Sequence, residues 1–92
     1  MRVSVKYMAQ LRQAAGIGGE TVELDGSATV RDLVHSLAVR HDHAFARFLF
    51  GENGTIQPSL LVFVGEEQVR PDSQIVLGDG DTVTLLTPMA GG

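Results

Sequence analysis

Between residues 30 and 41, Val30, Leu33, Val34, Leu37, Ala38 and His41 recur at i, i+3, i+4, i+7, i+8 and i+11, while Arg31, Asp32, His35 and Arg40 fall on the other side. That spacing predicts one amphipathic helix, the strongest periodic signal in the chain. Thr29 stands at its expected N-cap with Asp32 three residues on, so the helix should begin near residue 30. Toward the N-terminus the period changes to two. Val3, Val5 and Tyr7 alternate with Arg2, Ser4 and Lys6, which predicts a strand over residues 2–8 with one buried face. After a short segment around Leu11 to Ala15, Gly16-Ile17-Gly18-Gly19 reads as a turn, and Thr21-Val22-Glu23-Leu24 alternates again until Asp25-Gly26. The two strands make an N-terminal hairpin.

On the far side of the helix, Ala44, Phe45, Phe48 and Leu49 predict a second short helical turn that caps the core, closed by Gly51 and the Glu52-Asn53-Gly54 loop. Leu60 to Val64 is a continuous apolar run ended by Gly65-Glu66-Glu67. Val83 and Leu85 alternate with Thr82 and Thr84 after the Gly78-Asp79-Gly80-Asp81 turn. Both segments read as strands. Hairpin, helix, strands and tail, with the helix packed on one face of a mixed sheet, define an α+β chain of β-grasp architecture. With 92 residues, 43% of them hydrophobic, the chain can bury one modest core. The expectation is a single domain over 1–92, with 87–92 as a projecting tail.

Composition narrows the chemistry. Without cysteine the chain has no disulfide, no thiolate metal site and no cysteine nucleophile. A net charge of −4, with six arginines and Lys6 scattered along the sequence, argues against direct nucleic-acid binding. No apolar run approaches the roughly 18 residues of a membrane span, and the N-terminus alternates as a strand does, so a cytoplasmic protein without a membrane partner is expected. His35 points about 140° from Val30, away from the face of His41, and the three histidines are read as solvated surface rather than metal ligands. Asp79-Gly80-Asp81 reads as a turn, since no glutamate completes a calcium loop. Gly16-Ile17-Gly18-Gly19 lacks the Lys-Ser or Lys-Thr of a phosphate loop. No nucleophile, base and orienting group recur at a recognisable spacing.

The chain ends Thr87-Pro88-Met89-Ala90-Gly91-Gly92. Pro88 has no N–H to continue a ladder, and Ala90, Gly91 and Gly92 carry almost no side chain, so this segment is expected to project and to be threaded into a narrow partner site. Strand parity sets Met8 and Leu86 on the face opposite Val5, Tyr7 and Leu85. Both parities of the 60–64 run are apolar, which exposes Leu61 or Phe63 as well. An apolar patch of Met8, Leu61, Phe63 and Leu86 beside the tail would be a docking surface.

The opening strand into Ala9-Gln10-Leu11-Arg12, the helix start Thr29-Val30-Arg31-Asp32-Leu33, and Leu77-Gly78-Asp79-Gly80-Asp81-Thr82-Val83 leading into Pro88 and Ala90-Gly91-Gly92 together carry a resemblance over nearly the whole chain. The sequence resembles the ubiquitin-like sulfur carriers, a family that includes the small subunit of molybdopterin synthase, the thiamin sulfur carrier and the cysteine-biosynthesis carrier. The resemblance implies that an E1-like adenylating enzyme activates the Gly92 carboxylate with ATP and that a sulfur donor converts it to a thiocarboxylate. The sulfur then passes to an acceptor, either the large subunit of molybdopterin synthase or a cysteine synthase. On this reading the chain binds no cofactor and catalyses nothing alone. Thr87-Pro88 stands where many molybdopterin-type tails carry two adjacent prolines, and the thiamin carriers are shorter. Val83-Thr84-Leu85-Leu86 running into one proline is equally similar to the cysteine-biosynthesis carriers. A second class of function is a ubiquitin-like modifier joined through Gly92 to lysines of target proteins. Lys6, the only lysine, and the N-terminus are then the only amines for self-linked chains.

Overall fold

The computed structural model describes residues 1–87. Strand β1, Arg2–Met8, alternates as its sequence requires, with Val3, Val5 and Tyr7 buried and the residues between them exposed. It pairs antiparallel with β2, Gly19–Glu23, and parallel with the C-terminal strand β5, Thr82–Thr87. Between them in sequence lie β3, Leu61–Val64, and β4, Glu67–Val69, and the sheet order is β2-β1-β5-β3-β4. This is the β-grasp arrangement: the first and last strands run side by side through the middle of a mixed sheet.

All three helices cover one face. The longest, α2, spans Val30–Arg40 and opens with a full capping box: Thr29 Oγ1 accepts from Asp32 N–H at 3.1 Å and Asp32 Oδ2 accepts from Thr29 N–H at 2.9 Å. Its stripe of Val30, Leu33, Val34 and Leu37 is fully buried against Val3, Val5, Val22, Val62, Val83 and Leu85 of the sheet. Each of these aliphatic side chains contributes about 1.5–3 kcal/mol by leaving water. Helix α3, His43–Leu49, adds Phe45 and Leu49 to the same core and is capped by Asp42, whose Oδ1 accepts from Phe45 N–H at 3.0 Å.

Two elements exceed the sequence expectation. The segment around Leu11 is a helix, α1, Ala9–Ala15, inserted in the connection between β1 and β2, so the N-terminal pair is not a tight hairpin. It enters through Ala9 at φ 53°, a left-handed conformation that costs a residue with a Cβ roughly 1–2 kcal/mol. Strand β4 follows the turn at Gly65, where a halt was expected. The tail also begins later than expected. Thr87 is the last residue of β5 and is buried, so a projecting segment starts no earlier than Pro88, outside the described residues.

The turn before β5 joins the two central strands. Asp79 Oδ1 accepts from Arg2 N–H and Gly80 N–H donates to Arg2 O, both at 2.8 Å, while Asp81 Oδ2 accepts from Gly78 N–H at 2.8 Å. Gly80, at φ 86°, supplies the left-handed residue this turn needs. Both carboxylates are thus occupied by backbone donors, as a turn requires.

Candidate functional site

With every helix on one side, the other face of the sheet is open. Strand register fixes what it displays. Met8 on β1 pairs with Leu86 on β5, and Leu86 pairs with Leu61 on β3, so three apolar side chains stand in one row across three adjacent strands. In the next row Lys6 pairs with Thr84, which pairs with Phe63. Met8 is 49% exposed, and Leu61, Phe63 and Leu86 are half-buried, while Val62 and Leu85 point into the core. The four patch residues expected from strand parity are therefore together, and both Leu61 and Phe63 belong to the open face.

The row lies at the C-terminal end of β5, where the chain passes from Thr87 toward Pro88. Pro88, Ala90, Gly91 and Gly92 lie outside the described residues. Thr87 itself points to the helix side, and among the described residues its Oγ1 has no hydrogen-bond partner. Ala9, the strained residue that turns β1 into α1, bridges to Thr87, so the last ladder contact before the tail is made by left-handed backbone.

On the helix side a polar cluster joins β1, β2 and the end of α2. Tyr7 Oη donates to Glu20 Oε2, His41 Nε2 bonds the same oxygen, and Arg40 Nε donates to Oε1 at 2.7 Å. The His41 ring lies 4.4 Å from that of Phe45 and meets Tyr7 edge-on at 5.7 Å. Burial pushes the Glu20 carboxyl up, but hydrogen bonds from Tyr7, His41 and Arg40 outweigh it and hold the group below its ordinary range. Burial, then the bond to Glu20, drives the Tyr7 phenol far above its usual value. The protonated phenol and the ionised carboxylate hold each other in place. They fasten the C-terminal end of α2 to the sheet.

This cluster corrects the reading of all three histidines as solvated surface. His35 and His43 are exposed, whereas His41 is half-buried and bonded to Glu20. Helical spacing did put His41 on the apolar side of α2, but its partner lies 21 residues away on β2, where no local spacing could show it. Among the described residues no group of three or more His, Asp or Glu side chains gathers as a metal site would need.

A β-grasp body with three helices on one face of a mixed five-stranded sheet is the architecture of ubiquitin-like proteins. The ThiS family model matches residues 5–92, and the chain belongs to that family of ubiquitin-like sulfur carriers. Over 92 residues it is 28% identical to the molybdopterin synthase sulfur carrier subunit of Chlamydomonas reinhardtii, covering 100% of both chains. It is 32% identical over 94 residues to small archaeal modifier protein 3 of Haloferax volcanii, again over 100% of both. The crystal structure of SAMP1 from Haloferax volcanii superposes with a TM-score of 0.87 at 28% identity, covering 100% of each chain.

Proposed function

We propose that this chain carries sulfur on its C-terminus. An E1-like enzyme adenylates the Gly92 carboxylate with ATP, a sulfur donor replaces AMP to leave a thiocarboxylate, and an acceptor enzyme takes the sulfur. The observation that supports the reading is the apolar row Met8, Leu86, Leu61, which ends where the chain continues into Pro88-Met89-Ala90-Gly91-Gly92. A partner seated on that row has the terminus within reach of its own active site. Binding energy from the sheet face then positions a carboxylate that has no side chains around it to obstruct entry. The full-length likeness to a molybdopterin synthase sulfur carrier subunit favours the large subunit of molybdopterin synthase as acceptor over a cysteine synthase.

The test is incubation with the E1-like enzyme from the same genome, ATP and sulfide, followed by intact mass. A gain equal to sulfur minus oxygen is the expected result; an unchanged mass with every such enzyme in the genome refutes the proposal. A second reading, conjugation of Gly92 to protein lysines, is favoured by the full-length likeness to a small archaeal modifier protein. Peptides from cells bearing the Gly92 end on lysine would establish it, and both roles can share one adenylate.

A further inference from the structure

We propose that Met8 is an oxidation site, and that its conversion to the sulfoxide by a peroxide withdraws the open sheet face from its partners until a reductase restores the thioether. The inference rests on the docking role given to that face above. The chain has no cysteine, so its thioethers are the side chains that a peroxide oxidises first. There are three, Met1, Met8 and Met89, the last outside the described residues. The fold separates the other two. The Met1 side chain packs against the core, and its ammonium donates to Leu24 O at 2.6 Å. Met8 ends β1 on the open face and is 49% exposed, more than any other member of the patch. Leu61, Phe63 and Leu86 hold no atom that dilute peroxide attacks, so Met8 is where the patch can be altered chemically.

The step is a two-electron oxygen transfer from hydrogen peroxide. A lone pair of the Met8 sulfur attacks one peroxide oxygen, an S–O bond forms and the O–O bond breaks. The departing hydroxide takes the proton from the transferred oxygen and leaves as water. Sulfur is oxidised and the peroxide is reduced.

Position gives the change its consequence. Met8 begins the row that continues through Leu86 to Leu61 across three adjacent strands, and the sulfoxide places a polar acceptor at the head of that row. In the free chain water satisfies the new oxygen, so the fold keeps its stability. Beneath a partner packed on the row, the side chains of Leu86 and Leu61 offer it no donor. A polar group buried unpaired in such a contact weakens binding by about ten- to a hundredfold.

The experiment oxidises the full chain partially with dilute hydrogen peroxide and passes it over the immobilised E1-like enzyme from the same genome. Bound and unbound fractions are then digested with trypsin and mapped by mass. The peptide Tyr7–Arg12 carries Met8 and no other methionine, so its sulfoxide is counted separately from those at Met1 and Met89. Met8 should oxidise faster than Met1, and its sulfoxide should be enriched about tenfold or more in the unbound fraction. Treatment with methionine sulfoxide reductases of both stereospecificities should return that fraction to the column. Faster oxidation of Met1 than of Met8 overturns the site. Equal Met8 sulfoxide in the two fractions overturns the switch, as does a lowered Tm of the oxidised chain, which would place the effect in the fold. An untreated chain that the column fails to retain counts instead against the docking reading, and the order of oxidation, read by mass alone, still tests the site.

Discussion

Replacing Glu20 by Gln should weaken the fold at neutral pH and remove part of its sensitivity to acid. The carboxylate accepts from Tyr7 and Arg40 and bonds His41, with its own side chain only 13% exposed. Hydrogen bonds to a charged group are worth about 1.5–3 kcal/mol each. The Arg40 side chain is 47% exposed, so that pair is screened and adds no more than about 1 kcal/mol. Glutamine keeps one acceptor oxygen but turns an NH2 toward groups that already donate. The net loss should be about 2–3 kcal/mol, a fall in Tm of roughly 10–20 °C for a domain of this size. The pH dependence has a definite sign. Because the folded protein holds Glu20 below the ordinary glutamate value of 4.5, its stabilisation is complete above about pH 4.5 and is lost as pH falls through the depressed value. Asp32, held down by the Thr29 backbone and hydroxyl, and Asp72, held down by Arg70, keep a residual acid slope in the variant. Urea unfolding of both proteins between pH 3 and 7 measures this directly. A loss under about 0.5 kcal/mol at pH 7, together with an unchanged acid slope, would refute the role given to the cluster.

Gly19→Ala should cost about 1–3 kcal/mol, because a Cβ there would sit 2.5 Å from Val5 O, backbone that cannot yield without opening the β1–β2 ladder; a wild-type denaturation midpoint would show that it can. Leu86→Asp, with Met8→Asp as companion, should leave the protein folded by circular dichroism while abolishing capture by the activating enzyme in a pull-down. Unfolding of either variant would mean that these side chains are core. Gly91→Val should melt within about 0.5 kcal/mol of wild type yet lose ATP–pyrophosphate exchange with the activating enzyme, since a branched Cβ obstructs entry of the terminus; normal exchange would sink the threading argument.

Much of this molecule was legible where one residue's neighbours along the chain decide its environment. The alternation of β1 and β5 gave the buried set and, by parity, Met8 and Leu86, whereas the 60–64 run, apolar at both parities, offered Leu61 or Phe63 without fixing its face. The helical stripe from Val30 to Leu37 and the Thr29–Asp32 capping box gave α2. What escaped lacked a local signature. Helix α1 buries only Leu11 and has no side-chain cap, so seven residues show no periodicity. At three residues, β4 is too short to alternate. The Glu20–His41 contact is created by the packing of α2 on the sheet and exists in no single stretch of sequence.

The placement of β5 decides how the molecule responds to force on its tail. The strand is hydrogen-bonded to β1 on one side and β3 on the other, and Thr87 at its end is the last described residue. A pull on the C-terminal end of β5 along its axis loads both ladders in shear, so that their bonds must fail together. An edge strand pulled at a right angle would peel open one bond at a time. On the carrier role proposed above, a partner that grips the terminus is released by dissociation of the whole body, with the sheet intact.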